Sequence, residues 1–253
     1  TQFNQASNRA ASGHTASLSR KTIRKPEYQE NPMTNVSITL PIQRNFMHTT
    51  IGTILLAWLI IIVGLSLKGF FVSPPGEPPL NILLSLLVSI GIFSLAYLTL
   101  PSFRGYVLNV DMRLLIMLHS WRALGIGFVM LYTYDQLPML FAFPAGFGDA
   151  LTAVSAVFLA YAMFKRESGI PKQWIWSWNT FGLIDFIVAV SLGILTRTGA
   201  PFASLPLISS DIMTAFPLVI IPGFLVQVLT LTHIVIYLQL RNNWAKEARV
   251  KLV

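Results

Sequence analysis

The 253-residue chain contains no cysteine. That excludes disulfides, thiolate metal sites, iron–sulfur clusters and cysteine nucleophiles. Charge is scarce as well. Only 11% of the residues are Asp, Glu, Lys or Arg, against roughly 25% in a soluble domain. Acids are the scarcer sign, ten against eighteen Lys plus Arg, and none precedes Glu27. There is no glycine-rich phosphate loop, no cluster of metal ligands and no inverted repeat. With these signatures missing, function has to be sought in a few isolated polar side chains.

What fills the chain is apolar sequence, 54% of it hydrophobic. It falls in blocks of about 20 residues, enough to cross roughly 30 Å of hydrocarbon as helix. The spacing predicts helices at His48–Phe70, Leu80–Leu100, Arg113–Tyr134, Gly148–Phe164, Gln173–Leu195 and Met213–Leu240. The expected fold is all-α, an integral membrane bundle of six transmembrane helices over residues 48–240. Pro-dense VSPPGEPP (72–79) must be a loop, because proline removes donors and fixes φ. Residues 101–112 read as an interfacial connector. Trp174, Trp176 and Trp178 read as a headgroup belt. Pro217 and Pro222 should kink the last helix.

The net charge of +8 resembles a nucleic-acid signal, but membrane proteins concentrate Lys and Arg in cytoplasmic loops. Fifteen of the eighteen fall on one side of the predicted spans. Lys68 and Arg197 lie on the other, and Arg122 lies within the membrane. Both termini are therefore expected in the cytoplasm, with no nucleic-acid partner. Residues 1–47 and 241–253 read as basic tails, the first disordered. Arg20, Lys21, Arg24 and Lys25 suit anionic lipid headgroups. The Ser/Arg-rich start also has the composition of a transit peptide, and Met33 is an alternative start. The membrane expected is the bacterial cytoplasmic (inner) one.

Ionisable groups at membrane depth are functional candidates. His119 and Arg122 share a face at i, i+3. Asp185 lies in a stripe with Trp178, Gly182, Ala189 and Gly193, whose small residues permit close backbone approach. Asn179 adds an amide, and Gln227 and His233 lie on one face of the last helix. His119, Arg122, Asn179, Asp185, Gln227 and His233 thus form a predicted polar centre between helices three, five and six. Arg122 and Asp185 differ in depth by about 4–5 Å, which predicts a buried pair. His119 and His233 also share a depth, so haem b is a candidate cofactor.

The hairpin FAFPAGFGD supplies Pro144 and Gly146 for a turn, Gly148 for tight helix entry, and Asp149 for a first-turn carboxylate at the positive helix end. Tyr134-Asp135 followed by GFGD resembles the YD and GxGD motifs of presenilin-type and signal-peptide-peptidase-type intramembrane aspartyl proteases. That resemblance implies an Asp135–Asp149 dyad. It covers two short motifs, and no Pro-Ala-Leu tripeptide accompanies them. More widely, residues 113–240, with FAFPAGFGD and WNTFGLIDF, resemble an uncharacterised family of small bacterial multi-pass membrane proteins, which implies a fold and no activity. Three functions follow as expectations. One is a non-enzymatic membrane protein handling a small solute or proton at the polar centre. The second is a membrane enzyme, haem-bearing or an aspartyl protease. The third is an accessory or assembly protein.

Overall fold

The computed structural model describes residues 41–165, 170–203 and 208–250. The expected lipid-binding cluster at Arg20–Lys25, Met33 and the last three residues lie outside the described residues. Among the described residues there is no strand, and six helical spans are long and apolar enough to cross a membrane. The protein is a polytopic, all-α membrane protein.

Helix α1 is Pro41–Leu67 and α2 is Leu80–Thr99. Both present rows of exposed aliphatic side chains, among them Ile54, Ile60, Leu84 and Leu95. In water such rows would be a liability, whereas in lipid they are the solvated face. Between these helices, Asn81 Nδ2 donates to the Phe70 carbonyl at 2.6 Å and closes the proline-rich loop. The connector forms α3, Pro101–Asn109, with proline at its first helical position, where no donor is lost. Asp111 then caps α4, Met112–Leu118, by accepting from the Arg113 backbone N–H at 2.9 Å.

The third span departs from the single predicted helix. After α4 the chain winds as a 3-10 helix, His119–Gly125, before resuming as α5, Ile126–Thr133. It stops at Asp135, whose φ of +55° is left-handed. The N–H of Asp135 bonds Tyr132 O at 3.0 Å and that of Gln136 bonds Leu131 O at 2.9 Å, the pattern of a Schellman end.

The fourth span begins well before the predicted Gly148. Helix α6 runs Met139–Lys165. The N–H groups of Phe141 and Ala142 bond the Pro138 carbonyl at 3.1 and 2.9 Å, which starts the helix directly after the turn. Pro144 therefore sits inside the helix and not in a turn, a placement membrane helices tolerate. Its buried face is built of small residues, Ala142, Ala145, Gly146, Ala153, Ala156 and Ala160. They let α6 lie at the centre, against α4, the 3-10 segment, α5 and α7 (Lys172–Leu195).

The last span is also broken differently from the expected kink. A short 3-10 turn, Ser210–Thr214, precedes Pro217, a π-helical turn covers Ile221–Leu225, and α8 runs Val226–Val250. Pro217 thus lies ahead of the helix. Three apolar clusters result among the described residues. One joins Ile116, Ala156, Ala160, Trp178 and Ile236. A second joins Phe128, Phe141, Ala142, Ala145 and Met213. A third joins Ile62, Phe71, Ile82 and Val219. Helix α7 carries Asn179 and Asp185 between Trp178 of the first cluster and Ala189, which packs on the second.

Candidate functional site

The site starts from winding. A 3-10 helix has three residues per turn, so residues at i and i+3 eclipse. His119, Arg122 and Gly125 are the buried residues of that segment. The change from α to 3-10 therefore brings an imidazole, a guanidinium and a gap into one vertical row.

Arg122 is 3% exposed. Its Nε donates to Asp149 Oδ1 at 2.7 Å, its Nη2 donates to Asp185 Oδ2, and its Nη1 donates to the Gly182 carbonyl at 3.0 Å. His233 Nε2 stands 3.3 Å from the same Nη1, and the Phe186 ring lies 3.7 Å beneath the guanidinium carbon. The other imidazole nitrogen of His233, Nδ1, meets Asn179 Oδ1 at 2.7 Å, and Asn179 Nδ2 donates to the His233 carbonyl at 3.1 Å. His119 lies against His233 with ring centres 4.2 Å apart, and its Nε2 bonds the Thr232 hydroxyl at 3.0 Å. His119 Nδ1 is buried with no hydrogen-bond partner.

Four glycines make room for these charges. A side chain at Gly125 would land on Asp149, and one at Gly148 would land on the Asp185 carboxylate. At Gly182 it would meet the His233 ring at 2.7 Å, and at Gly146 the Val129 side chain at 2.9 Å. Gly146 and Gly148, read from the sequence as turn and entry residues, are here the spacers that let α6 approach its neighbours.

Residues 78–241, well over half of the chain, match the family described as "Domain of unknown function (DUF8737)". The chain belongs to the DUF8737 family. Every residue of the cluster lies inside the matched DUF8737 region, and α1 lies outside it. Neither the curated proteins nor the solved structures contain a match to this DUF8737 chain.

Of the predicted polar centre, the structure brings together His119, Arg122, Asn179, Asp185 and His233. Gln227 stands apart. Its Nε2 donates to Ser85 Oγ at 2.6 Å, tying α8 to α2. The pair expected between Arg122 and Asp185 is a three-group cluster, because Asp149 belongs to it. Asp149 was expected at the membrane edge as a helix-end carboxylate. With α6 starting at Met139, it lies about 15 Å further along that helix. Asp135 occupies the terminal turn, so the structure does not bring the two acids of the motif together. The haem expectation meets a similar obstacle. The His119 and His233 rings touch, while axial imidazoles at about 2 Å from a metal on its opposite faces stand clear of each other. Both nitrogens of His233 are also engaged by protein, so these residues do not fit a haem sandwiched between them. Trp178 leaves the expected belt. It is buried, donates to Ser155 Oγ at 3.1 Å, and packs edge-on against His119.

Two features had no sequence signal. One is Arg197, 2% exposed, which donates to the carbonyls of Glu77 and Ser73 at 3.1 and 3.0 Å and pairs with Asp211 at 3.0 Å. Burial pushes the Asp211 carboxyl up, but hydrogen bonds from Thr198 and Ser209 and the Arg197 charge outweigh it and hold the group below its ordinary value. The other is a cavity of about 80 Å³ that runs between Arg197 and Asp149.

Proposed function

We propose that this protein takes up and releases a proton at the Arg122–Asp149–Asp185 cluster, and in doing so moves a proton or a small solute across the membrane without covalent chemistry. One observation carries the reading. A single buried guanidinium is held between two carboxylates. If both acids are ionised, the cluster has one formal negative charge in excess, and hydrocarbon penalises net charge. One bound proton makes it neutral. A fully packed clamp would need only one acid per arginine.

Access supports the same reading. Asp149 retains 13% side-chain exposure and lines the cavity, whereas Arg122 retains 1%. On the far side, the His233 and His119 rings continue the polar row. With the charge asymmetry of the loops, both termini are cytoplasmic, the cavity opens outward, and the histidines face inward.

The test is purified protein reconstituted in vesicles loaded with a pH-sensitive dye, under a potassium-diffusion potential. Wild type should conduct protons above protein-free vesicles, and Asp149→Asn and Asp185→Asn should not. Wild-type flux no greater than that of empty vesicles, at several pH values, would return the cluster to a packing role in an accessory membrane protein.

A further inference from the structure

The cavity has two polar levels. Gly148 of α6 meets Asp185 of α7, and Phe141 of α6 meets Gly193 of α7, so the two helices run antiparallel along it. The inner level holds Asp149 and Asp185. The outer level holds Arg197, Ser210 and Thr214. Water reaches it, because Asp211, the partner of Arg197, is partly exposed. From Asp185 to Gly193 is about 12 Å of helical rise. The side chains that line the cavity over this stretch are apolar, among them Phe141, Phe186, Ala189, Val190 and Met213.

Phe141 stands at the outer end of the apolar stretch. Its ring lies against Gly193, where an added Cβ would be 3.4 Å from Cε2, and Phe128 backs it with ring centres 5.4 Å apart. The whole cavity holds only about 80 Å³. A cavity of roughly 150 Å³ takes one benzene, so this one has room for a few waters and little else. Water stays where polar groups hold it, and a narrow apolar section sheds it.

We propose that this cavity is the outer half of the proton path, gated by the Phe141 ring on Gly193, and that it passes protons along transient water while excluding solutes by size. The inference rests on the proton reading above and narrows it from proton or solute to proton alone. With the ring seated, water stops at the level of Arg197. With the ring displaced, a short file of water joins that level to Asp149. Each water then takes one proton from its outer neighbour and gives one to its inner neighbour. The last gives its proton to a carboxylate oxygen of Asp149, and the file is left neutral. The mouth does not repel the proton, because the charge of Arg197 is balanced by Asp211.

The chain has no cysteine, so single thiols report access without background. Ala189 lines the cavity one turn inside Gly193. Thr198 is exposed, and Ile187 is exposed on the apolar surface of α7. The full chain carrying Ala189→Cys, Thr198→Cys or Ile187→Cys is placed in nanodiscs in chloride-free buffer. It is treated with silver ion, which is water-sized, or with a trimethylammonium methanethiosulfonate, which is not. Thiols left free are counted with a fluorescent maleimide after denaturation. Thr198→Cys should react with both reagents, Ile187→Cys with neither, and Ala189→Cys with silver alone. Adding Phe141→Ala should speed the silver reaction at Ala189→Cys by about tenfold. In the vesicle assay, Phe141→Ala alone should raise proton flux severalfold. Phe141→Leu replaces it if that variant does not fold. Gly193→Ala, whose methyl fits against the ring, should lower both rates severalfold. Silver that reaches Ala189→Cys in no background, or flux indifferent to Phe141 and Gly193, overturns this path while the proton reading stands. A bulky reagent that labels Ala189→Cys as fast as silver overturns the exclusion of solutes. Wild-type vesicles without proton flux overturn both readings.

Discussion

Removing the arginine should hurt far more than removing either acid. Arg122→Gln leaves Asp149 and Asp185 buried with no cation between them, and it deletes the bonds to both carboxylates and to the Gly182 carbonyl. Leaving an uncompensated buried charge costs about 3–5 kcal/mol, reduced to the extent that the acids take up protons. Asp149→Asn or Asp185→Asn instead leaves one acid for one arginine, a neutral pair. Its cost is that of a lost charge-assisted bond, about 1.5–3 kcal/mol. The double variant Arg122→Gln/Asp185→Asn would be a full rescue if only those two groups met. With Asp149 in the cluster it still buries one acid and should recover only part of the loss. The triple variant that also carries Asp149→Asn should return to within about 1–2 kcal/mol of wild type. Unfolding in mixed micelles, read by tryptophan fluorescence, orders the five variants against wild type. If Arg122→Gln proves no less stable than Asp149→Asn, or the double variant rescues as fully as the triple, the three-group argument fails.

Gly148→Ala and Gly182→Ala should each destabilise by about 1–3 kcal/mol, since the added methyl meets the Asp185 carboxylate and the His233 ring. Gly64→Ala, with open space around it, is the control and should unfold like wild type. Asp211 supplies a pH test. Its folded carboxyl lies below its ordinary value, so its contribution to stability is present above about pH 4 and is lost as pH falls through the lowered value. Asp211→Asn should therefore melt earlier than wild type at neutral pH and converge with it in acid. A gap that widens on acidification would contradict the assignment. Reporter fusions after Glu77, Asp135 and Thr198 should be external, and those after Met112, Glu167 and Val253 internal; an external reporter at Glu167 would reverse the topology.

The spans were legible because hydrocarbon thickness fixes helix length, and the composition of each block shows it. The partners of Arg122 were half legible. Asp185 announces itself by standing in a stripe of small residues on an otherwise apolar helix. Asp149 does not. Pro144 and the glycines around it read as a turn by local preference, and that preference misplaced the start of α6 and put the acid at the membrane edge. Tertiary packing decides there, because glycine and alanine on α6 are needed to admit side chains from other helices. The 3-10 winding of His119–Gly125 has no sequence signature of its own. Arg197 looked like an ordinary loop charge, because its acceptors are backbone carbonyls more than a hundred residues away.

That 3-10 winding ties two quantities together. A 3-10 helix rises about 2.0 Å per residue against about 1.5 Å for an α-helix. The seven residues His119–Gly125 therefore reach about 3.5 Å further than an α-helix would. Rewinding them as α would also swing Arg122 by about 60° relative to His119, away from Asp149 and Asp185. This span cannot shorten by that route without dismantling the ion cluster, and the cluster cannot come apart that way without shortening the span. Bilayer thickness and charge pairing bear on the same seven residues.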